Sequence, residues 1–407
     1  MKIVFFVREF PVYSETFIID QIIGLIDRGF DVSIITLAIN DQAQSKSVSH
    51  YKLMDKVQLI SANYGHGIKA NILSLFDVIK SLGNKVFRHY LYDGLKHKKR
   101  GVEELATIMQ HAPKISADAI IAHFGPNAVM AMKLTELGVL KGKIHAVFHG
   151  YDMSRYDFID KYLPDYKRLF KIDMLALPIS HYWKEKLIEF GCPDEKILVN
   201  RMGVDISKFS FKPKEELSTP INILTVARHT EKKGIEYAIE AMAELNRQGV
   251  DFIYNIVGTG PLLEKHYKLI EKHQLTNKVH LLGFKEHQEI NSLLENSDIF
   301  LLPSVTAPNG DKEGVPVSLM EAMAKGVICL STYHSGIPEL ITDNESGFLV
   351  DESNSLQIAE KIMTIMQSEL GLIQNRARSI IQNEFNQKIA YQQLELALKP
   401  NYSNCTF

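Results

Sequence analysis

Cysteine is scarce in this sequence, and long apolar runs are absent. The 407 residues contain three cysteines, Cys192, Cys329 and Cys405, which lie far apart and show no metal-ligand spacing. This pattern argues against a disulfide scaffold and favours a reducing compartment. No apolar run approaches the roughly 18 to 20 residues that a membrane-spanning helix needs. The apolar run before Arg8 is too short for a signal peptide and predicts a buried strand, so we expect a cytoplasmic protein.

An excess of charge of one sign is also absent from the chain as a whole. The net charge is −2, with 23% charged and 45% hydrophobic residues, which is typical of a globular protein and argues against a nucleic-acid partner. The two halves differ, however. Residues 1–205 hold 27 Lys and Arg against 23 Asp and Glu, whereas residues 206–407 hold 19 against 25.

Much of the basic excess lies between Lys69 and Arg100. Four aromatic residues are interleaved with it: Phe76, Phe87, Tyr90 and Tyr92. Such a segment can rest on an anionic membrane surface or bind a phosphate-bearing acceptor, and a solvated basic face is the alternative.

Short apolar runs alternate with helical patterns along the whole chain. The run Ile3–Val7 is followed by a helical pattern that Ser14 can cap and Gly29 can end, and a second series of the same kind starts near Pro220. This alternation predicts two α/β domains, each with a doubly wound parallel sheet. Ligands of such sheets bind at the carboxyl ends of the strands, so we expect a site in the cleft between the domains.

The predicted boundaries follow from the same pattern. They are residues 1–205 for an N-terminal domain, 206–220 for a polar linker, 221–385 for a C-terminal domain, and 386–407 for a C-terminal helix and tail that packs back toward the first domain.

The stretch "DKEGVPVSLMEAMAKG" places two acids, Glu313 and Glu321, around a predicted helix start. Pro316 favours the first helical turn and Gly326 favours the position after the last, so Glu313 belongs to the loop and Glu321 to the second turn. The open helix N-terminus would present backbone N–H groups to a phosphate, those near Gly314, Val315 and Val317. The alternative is a helix with two ordinary surface glutamates.

Two further strand ends carry features that suit a diphosphate. "VARHTEKKG" places Arg228, Lys232 and Lys233 at or just beyond the end of a strand. "VGTGPL" ends another strand with Gly258 and Gly260, which would let the backbone approach a ligand closely. This is not a GxGxxG sequence, so it gives little support to a nicotinamide cofactor.

In the first domain, histidines and an acid follow predicted strands. "FHGYD" puts His149 and Asp152 at a strand end, and "AHFG" does the same for His123. A structural role is the alternative for both histidines. The first strand is followed by three more cleft candidates, Tyr13, Ser14 and Glu15, of which Ser14 can equally be a plain helix cap.

These motifs, in this order, resemble the retaining glycosyltransferases of family 4, which have the two-domain GT-B fold. The most specific part is the E-x7-E segment "EGVPVSLMEAMAKGVICLSTYHSGIPELI". The chain is most similar to bacterial exopolysaccharide enzymes of the colanic acid and amylovoran type, with which it shares "FPVYSETFI"-, "HFG"- and "FHGYDMS"-like segments. It departs from many relatives because "VYSETF" replaces a glycine pair after the first strand, which indicates an acceptor role for that loop.

The resemblance implies that residues 1–205 would bind the acceptor and residues 221–385 the nucleotide sugar. It also implies a role for each matching residue. Arg228 and Lys233 would neutralise the donor diphosphate, and Glu321 would bind the donor ribose. Glu313 would sit beside the donor sugar, and His149 would contact that sugar near the reaction centre, with Asp152 supporting it or the acceptor. The nucleotide base would lie at Gly283 and Phe284.

The implied reaction is retaining and independent of metal. Breaking a sugar–diphosphate bond develops negative charge on the leaving group, which two cations and a helix N-terminus can stabilise. No Asp-x-Asp pair occurs between Tyr254 and Val350, and we expect no cofactor and no divalent ion. Same-face attack is the expected route, and double displacement through Glu313 or Asp152 is its rival.

We therefore expect a hexosyltransferase (EC 2.4 class) at the inner face of the cell membrane. It would use a UDP-sugar or GDP-sugar and a saccharide acceptor linked to a lipid such as undecaprenyl diphosphate, in cell-surface polysaccharide synthesis. The alternatives are a soluble enzyme acting on a small molecule or glycan chain, and a nucleotide-sugar-binding protein without turnover. The second would lack Glu313, Arg228 or Lys233, and all three are present.

Overall fold

A computed structural model describes residues 1–12, 15–40, 46–61, 68–97 and 101–399, of which residues 68–70 and 97 are described by their backbone alone. The candidates Tyr13 and Ser14 lie outside these residues, as do Cys405 and the basic residues 98–100. The other predicted site residues lie within them.

The described strands form two parallel sheets of six. The first contains β1 (Lys2–Phe10), β2 (Asp31–Ile39), β3 (Val57–Leu59), β4 (Ile115–His123), β5 (Leu140–Phe148) and β6 (Met174–Pro178) in the order β3-β2-β1-β4-β5-β6. The second contains β7 (Ile221–Val226), β8 (Phe252–Val257), β9 (Val279–Gly283), β10 (Ile299–Leu301), β11 (Ile328–Thr332) and β12 (Phe348–Val350) in the order β12-β11-β10-β7-β8-β9. Both orders are doubly wound, with reversals between β1 and β4 and between β7 and β10. The predicted fold class is confirmed.

Helices cover both faces of each sheet. The helices of the first domain are α1 (Thr16–Ile26), α2 (Lys46–His50), α3 (Ile68–Ser81), α4 (Lys85–His97), α5 (Val102–His111), α6 (Gly125–Glu136), α7 (Tyr151–Ser154), α8 (Tyr156–Leu169) and α9 (His181–Glu189). The second has α10 (Ile235–Arg247), α11 (Leu263–Lys272), α12 (His287–Asn296), α13 (Val317–Lys325), α14 (Ser355–Ile365) and α15 (Leu370–Asn383), and α16 (Gln387–Leu398) ends the described chain. Short 3-10 turns occur at Leu53–Lys56, Asp194–Lys196, Ile206–Lys208, Glu231–Lys233 and Ile337–Glu339.

The local signals explain most of these elements. Ile18, Ile22 and Leu25 recur at helical spacing on α1 and are buried against the first sheet, as predicted. Strands β3 and β12 were not predicted. Each has three residues and lies at the edge of its sheet, so neither is long enough to show a periodic pattern.

The last helix, α16, packs into the core of the first sheet although it follows the second. Its Leu394, Ala397 and Leu398 are buried in the same cluster as β1 and β4. The two chain crossings between the sheets run side by side: Val204 N–H donates to Phe385 O at 2.9 Å and Gln387 N–H donates to Val204 O at 3.0 Å. The domains are therefore joined by a paired hinge.

Candidate active site

The two domains touch through backbone at the loop after β5 and the loop before α13. A Cβ built on Gly314 would lie 2.5 Å from the carbonyl oxygen of His149, and one on Gly150 would lie 3.3 Å from the carbonyl oxygen of Lys312. Gly150 also has φ +140°, a conformation that side chains disfavour. Glycine at both positions thus brings His149 of the first domain against the Glu313 loop of the second.

Glu313 is a buried carboxylate held by two lysines. Its side chain lies 2.9 Å from Lys233 Nζ through Oε2 and 3.6 Å from Lys232 Nζ through Oε1. Burial alone would raise the pKa of Glu313, but the two ammonium groups outweigh it and lower the pKa to about 2. Oε1 is buried and has no hydrogen-bond donor among the described residues. Glu313 is therefore an ionised acid with one oxygen, Oε1, that accepts no hydrogen bond from the described residues.

A second set of residues fixes the backbone of Glu313, and sequence reasoning gave them no role. Glu313 N–H donates to His334 Nε2 at 3.0 Å, so the His334 proton lies on Nδ1, which donates to Glu352 at 2.6 Å. Ser335 Oγ donates to the carbonyl oxygen of Glu313 at 2.7 Å. His334 and Ser335 stand in the "STYHSGIPELI" part of the E-x7-E segment, which was the signal that could have found them.

The helix after Glu313 starts one residue later than predicted. Pro316 is the N-cap, with extended backbone, and α13 begins at Val317, so Glu321 lies in its second turn. Gly326 follows the last helical residue with φ +90°, as predicted. Within the described part of the chain, no acceptor is found for three backbone N–H groups at this helix start, those of Gly314, Val315 and Val317. They are available to an anion.

The cations after β7 differ in their surroundings. Lys233 contacts Glu313, whereas the exposed side chain of Arg228 has no ion pair or hydrogen bond among the residues that the structure describes. The glycines of "VGTGPL" pack directly against the backbone of this loop. A Cβ on Gly258 would lie 1.9 Å from Ala227 O, and one on Gly260 would lie 2.6 Å from His229 O. The close approach predicted there is to protein backbone, and it fixes the Arg228 loop.

Glu321 lines a cavity of about 560 Å³ between the domains. Asp20 on α1 and Lys208 of the hinge region face the same space. Burial and the nearby Asp20 raise the pKa of Glu321 to about 7. Farther along the sheet edge, Gly283 has open space around it and Phe284 is 71% exposed at the end of β9.

In the first domain, His149 is linked to His123 and Gln21. His149 Nε2 and His123 Nδ1 are 2.9 Å apart, and His123 Nε2 is 2.9 Å from Gln21 Oε1. Burial lowers the pKa of His149 to about 3 and that of His123 well below its ordinary value. Both rings are therefore neutral. His123 is fully buried, whereas His149, which contacts it, is half-buried.

Asp152 is buried with both carboxylate oxygens occupied. Oδ1 accepts from the backbone N–H groups of His149 at 3.1 Å and Gly150 at 2.8 Å, and Oδ2 accepts from Gly125 N–H at 2.9 Å. Burial raises its pKa. This carboxylate ties the His149 loop to the start of α6, and its contacts are those of a supporting residue.

Glu15 lines a second cavity, of about 650 Å³, at the strand reversal of the first sheet. Burial and the nearby Glu9 raise the pKa of Glu15 to about 7. Aromatic side chains form much of the wall: Phe124, Tyr151, Phe158 and Tyr162. This cavity opens at the place where doubly wound domains bind ligands.

Two doubly wound domains that face each other across a cleft are the architecture of the GT-B class of glycosyltransferases. The chain belongs to the family described as "Glycosyl transferases group 1", whose sequence profile matches residues 207–387. Over 98% of this chain and 100% of the relative, it is 40% identical to WcaL of Escherichia coli (strain K12), a protein assigned as a colanic acid biosynthesis glycosyltransferase. It is 41% identical to the amylovoran biosynthesis glycosyltransferase AmsK of Erwinia amylovora, over 97% of this chain and 98% of that protein.

Solved structures share the fold. Anabaena Alr3699/HepE, solved in complex with UDP and glucose, has a TM-score of 0.69 at 20% identity, over 98% of this chain and 99% of that one. The lipopolysaccharide outer core galactosyltransferase WaaB has a TM-score of 0.66 at 18% identity, with the same coverage of both chains. The predicted resemblance to exopolysaccharide glycosyltransferases is confirmed.

Proposed function

We propose that this protein is a retaining, metal-independent hexosyltransferase that extends a lipid-linked saccharide in exopolysaccharide biosynthesis, using a nucleotide-diphosphate sugar. The observation that carries the proposal is the position of Glu313, held by Lys233 and Lys232 ahead of α13 and against the His149 loop. Two relatives named for exopolysaccharide synthesis match nearly the full chain, which supports the pathway.

The donor would lie along the start of α13. Arg228, Lys233 and the free amides of Gly314 and Val315 would hold the diphosphate, since cations and a helix N-terminus both attract phosphate. The hexose would place a hydroxyl on Glu313 Oε1, whose buried lone pair has no other donor in the described chain. The ribose hydroxyls would reach Glu321 in the next turn.

The chemistry follows from these charges. The bond between C1 and the phosphate oxygen breaks, and its electron pair leaves with the diphosphate. The ionised Glu313 stabilises positive charge on the sugar, and the acceptor oxygen attacks C1 from the same face while its proton passes to a departing phosphate oxygen. Asp152 is an unsuitable nucleophile because backbone N–H groups occupy both of its oxygens, so a double displacement would have to use Glu313.

The acceptor saccharide would bind in the cavity at the end of β1. Its aromatic walls, with Phe124 and Tyr151 in contact at 4.9 Å between ring centroids, suit the apolar faces of sugar rings. Glu15 and Asn127 supply polar groups for hydroxyls. The cavity shares α7 and its neighbours with the His149 loop, so an acceptor there lies on the first-domain side of the reaction.

The lipid end of the acceptor would stay in a bilayer against α3 and α4. These helices expose an unusual number of large apolar side chains: Ile72, Leu73, Leu75, Phe76, Ile79, Tyr92 and Leu95. Lys80, Lys85, Arg88 and Lys96 lie on the same two helices and would attract anionic headgroups. Within the described residues, no helix is both long and apolar enough to cross a membrane. The protein would dock at the cytoplasmic face.

Helix α4 connects the two surfaces. Its Tyr92 and Leu95 are exposed, whereas Tyr90, Asp93 and Gly94 line the acceptor cavity. A saccharide whose lipid is held in the bilayer could therefore enter the cavity beside this helix.

A donor screen followed by product analysis tests the proposal. Purified protein is heated with UDP, GDP, UDP-glucose, UDP-galactose and GDP-mannose, and the nucleotide that binds raises the melting temperature. Transfer from that donor to lipid-linked saccharide extracted from the host membrane should then give a product with the anomeric configuration of the donor, read by NMR. Nucleotide binding without transfer, or an inverted product, would overturn the proposal.

A further inference from the structure

Gln21, His123 and His149 form a hydrogen-bonded chain, and its geometry determines which ring nitrogens carry a proton. Gln21, on α1, is 4% exposed, and His123, the last residue of β4, is fully buried. Their contact is 2.9 Å, and so is the contact between the two rings. The three residues stand far apart in sequence and come together behind the face that His149 turns to the cleft.

The proton positions follow from the side-chain amide oxygen of Gln21. Gln21 Oε1 can only accept, so His123 Nε2 carries its proton. A neutral His123 then has a bare Nδ1, which accepts from His149 Nε2–H. His149 is neutral as well because burial disfavours its charged form, and its Nδ1 is therefore left without a proton.

We propose that Gln21 and His123 are positioning residues that fix the tautomer of His149, so that His149 Nδ1 meets the substrate as a hydrogen-bond acceptor. The inference rests on the proposed function for the identity of the substrate. Among the described residues, Nδ1 makes no hydrogen bond. The ring is packed between Phe17 and Phe124, with centroids 4.8 and 4.6 Å away, which holds its plane.

An unprotonated Nδ1 determines which substrate groups His149 can bind. A bare imidazole nitrogen binds a hydroxyl that donates, and it repels the lone pairs of a carboxylate or a carbonyl. The sugar group that reaches His149 is then a hydrogen-bond donor, such as a hydroxyl of a hexose.

The tautomer can be measured without turnover. Protein labelled with 15N in its histidines is observed through two-bond 1H–15N correlations, which distinguish protonated from bare ring nitrogens, and a His149→Asn spectrum identifies the His149 signals. We expect Nε2 protonated and Nδ1 bare in the free protein at neutral pH. A protonated Nδ1 in the free protein would overturn the inference, whatever the outcome of the donor screen.

Variants of Gln21 test its role. Gln21→Met and Gln21→Leu remove the neutral acceptor and should give a mixture of tautomers. Gln374→Met removes another buried glutamine, on α15, and should leave the His149 signals unchanged. A wild-type tautomer in Gln21→Met would refute the positioning role.

Turnover gives an independent readout, with the nucleotide hexose of largest thermal shift among UDP-glucose, UDP-galactose and GDP-mannose. Gln21→Met should lose about tenfold in kcat/KM, the effect of one hydrogen bond. Equal losses in Gln21→Met and Gln374→Met would mean a purely structural effect and would contradict the inference. If no donor binds, the proposed function fails while the tautomer measurement still decides this inference.

Discussion

The carbonyl oxygen of His149 lies so close to Gly314 that a Cβ at position 314 would come within 2.5 Å of it. The first residue belongs to one domain and the second to the other. Backbone contact thus brings the His149 loop against the Glu313 loop, and the missing side chain of Gly314 lets the two domains approach closely at this point.

Gly314→Ala should therefore disable transfer without unfolding either domain. The new methyl group meets both His149 O and Ile179 Cδ1 at 2.5 Å, and the backbone oxygen cannot yield cheaply, so the loops must separate. A displacement of this kind can cost about a hundredfold in rate. Gly371→Ala is the matched control because a Cβ there meets nothing within 4 Å, and it should keep full activity. Wild-type kcat in Gly314→Ala would show that the contact has no role.

Lys233→Met should remove most of the transfer activity, by about a hundredfold or more. The variant takes away the closer of the two ammonium groups at Glu313, and the pKa of Glu313 should rise from about 2. Glu313→Gln should give a similar loss. Lys361→Met breaks a comparable ion pair, with Asp343 at 3.3 Å, away from the cleft and serves as the control. Steady-state transfer rates test this prediction. Equal rates in Lys233→Met and Lys361→Met would contradict the proposed role of Lys233.

Nucleotide binding should depend on pH through Glu321. The pKa of this acid is raised to about 7 by burial and Asp20, so the carboxylate that we propose as the acceptor of the ribose hydroxyls forms as the pH rises through 7. We expect the Kd for the nucleotide to fall over that range in the wild type and to be flat in Glu321→Gln. Glu15→Gln changes an acid with a similar pKa in the other cavity and should keep the wild-type profile for nucleotide binding. An unchanged profile in Glu321→Gln would exclude the ribose role.

Acid should weaken the fold through Glu352. Burial would raise its pKa, but hydrogen bonds from His334 and Thr306 hold it at about 2, below the ordinary 4.5. A lowered pKa stabilises the folded state above pH 4.5, and that contribution is lost as the pH falls through 2. It is on the order of 3 kcal/mol at most. Denaturant unfolding between pH 5 and 2.5 should show a shallower loss in Glu352→Gln, and parallel curves would disprove the linkage.

Leu75→Glu combined with Phe76→Glu should abolish flotation with vesicles that contain anionic lipid. Both side chains are more than half exposed on α3, and carboxylates there would oppose both insertion and the headgroup charge. Leu356→Glu with Leu372→Glu places the same charge at exposed leucines of α14 and α15 and should float like the wild type. If wild-type protein does not bind such vesicles at low salt, the membrane proposal is wrong.

Local patterns predicted the interior strands, the helix start at α13 and the loop position of Glu313, because each depends on neighbours within a few residues. Contacts between distant residues could not be predicted in this way. Gln21 and His123 are 102 positions apart, and Glu313 and His334 are brought together by a turn that no spacing rule specifies. The family resemblance supplied candidate roles, but the partners of each candidate came from the fold.

The return of α16 to the first domain has a consequence for how the protein is made. Residues 387–398 leave the ribosome after all of the second sheet, and yet Leu394, Ala397 and Leu398 belong to the core around β1. The domain that is synthesised first therefore cannot bury its core fully until residues 387–398 have also been synthesised. Its last apolar contacts form only after the whole of the second sheet has been translated.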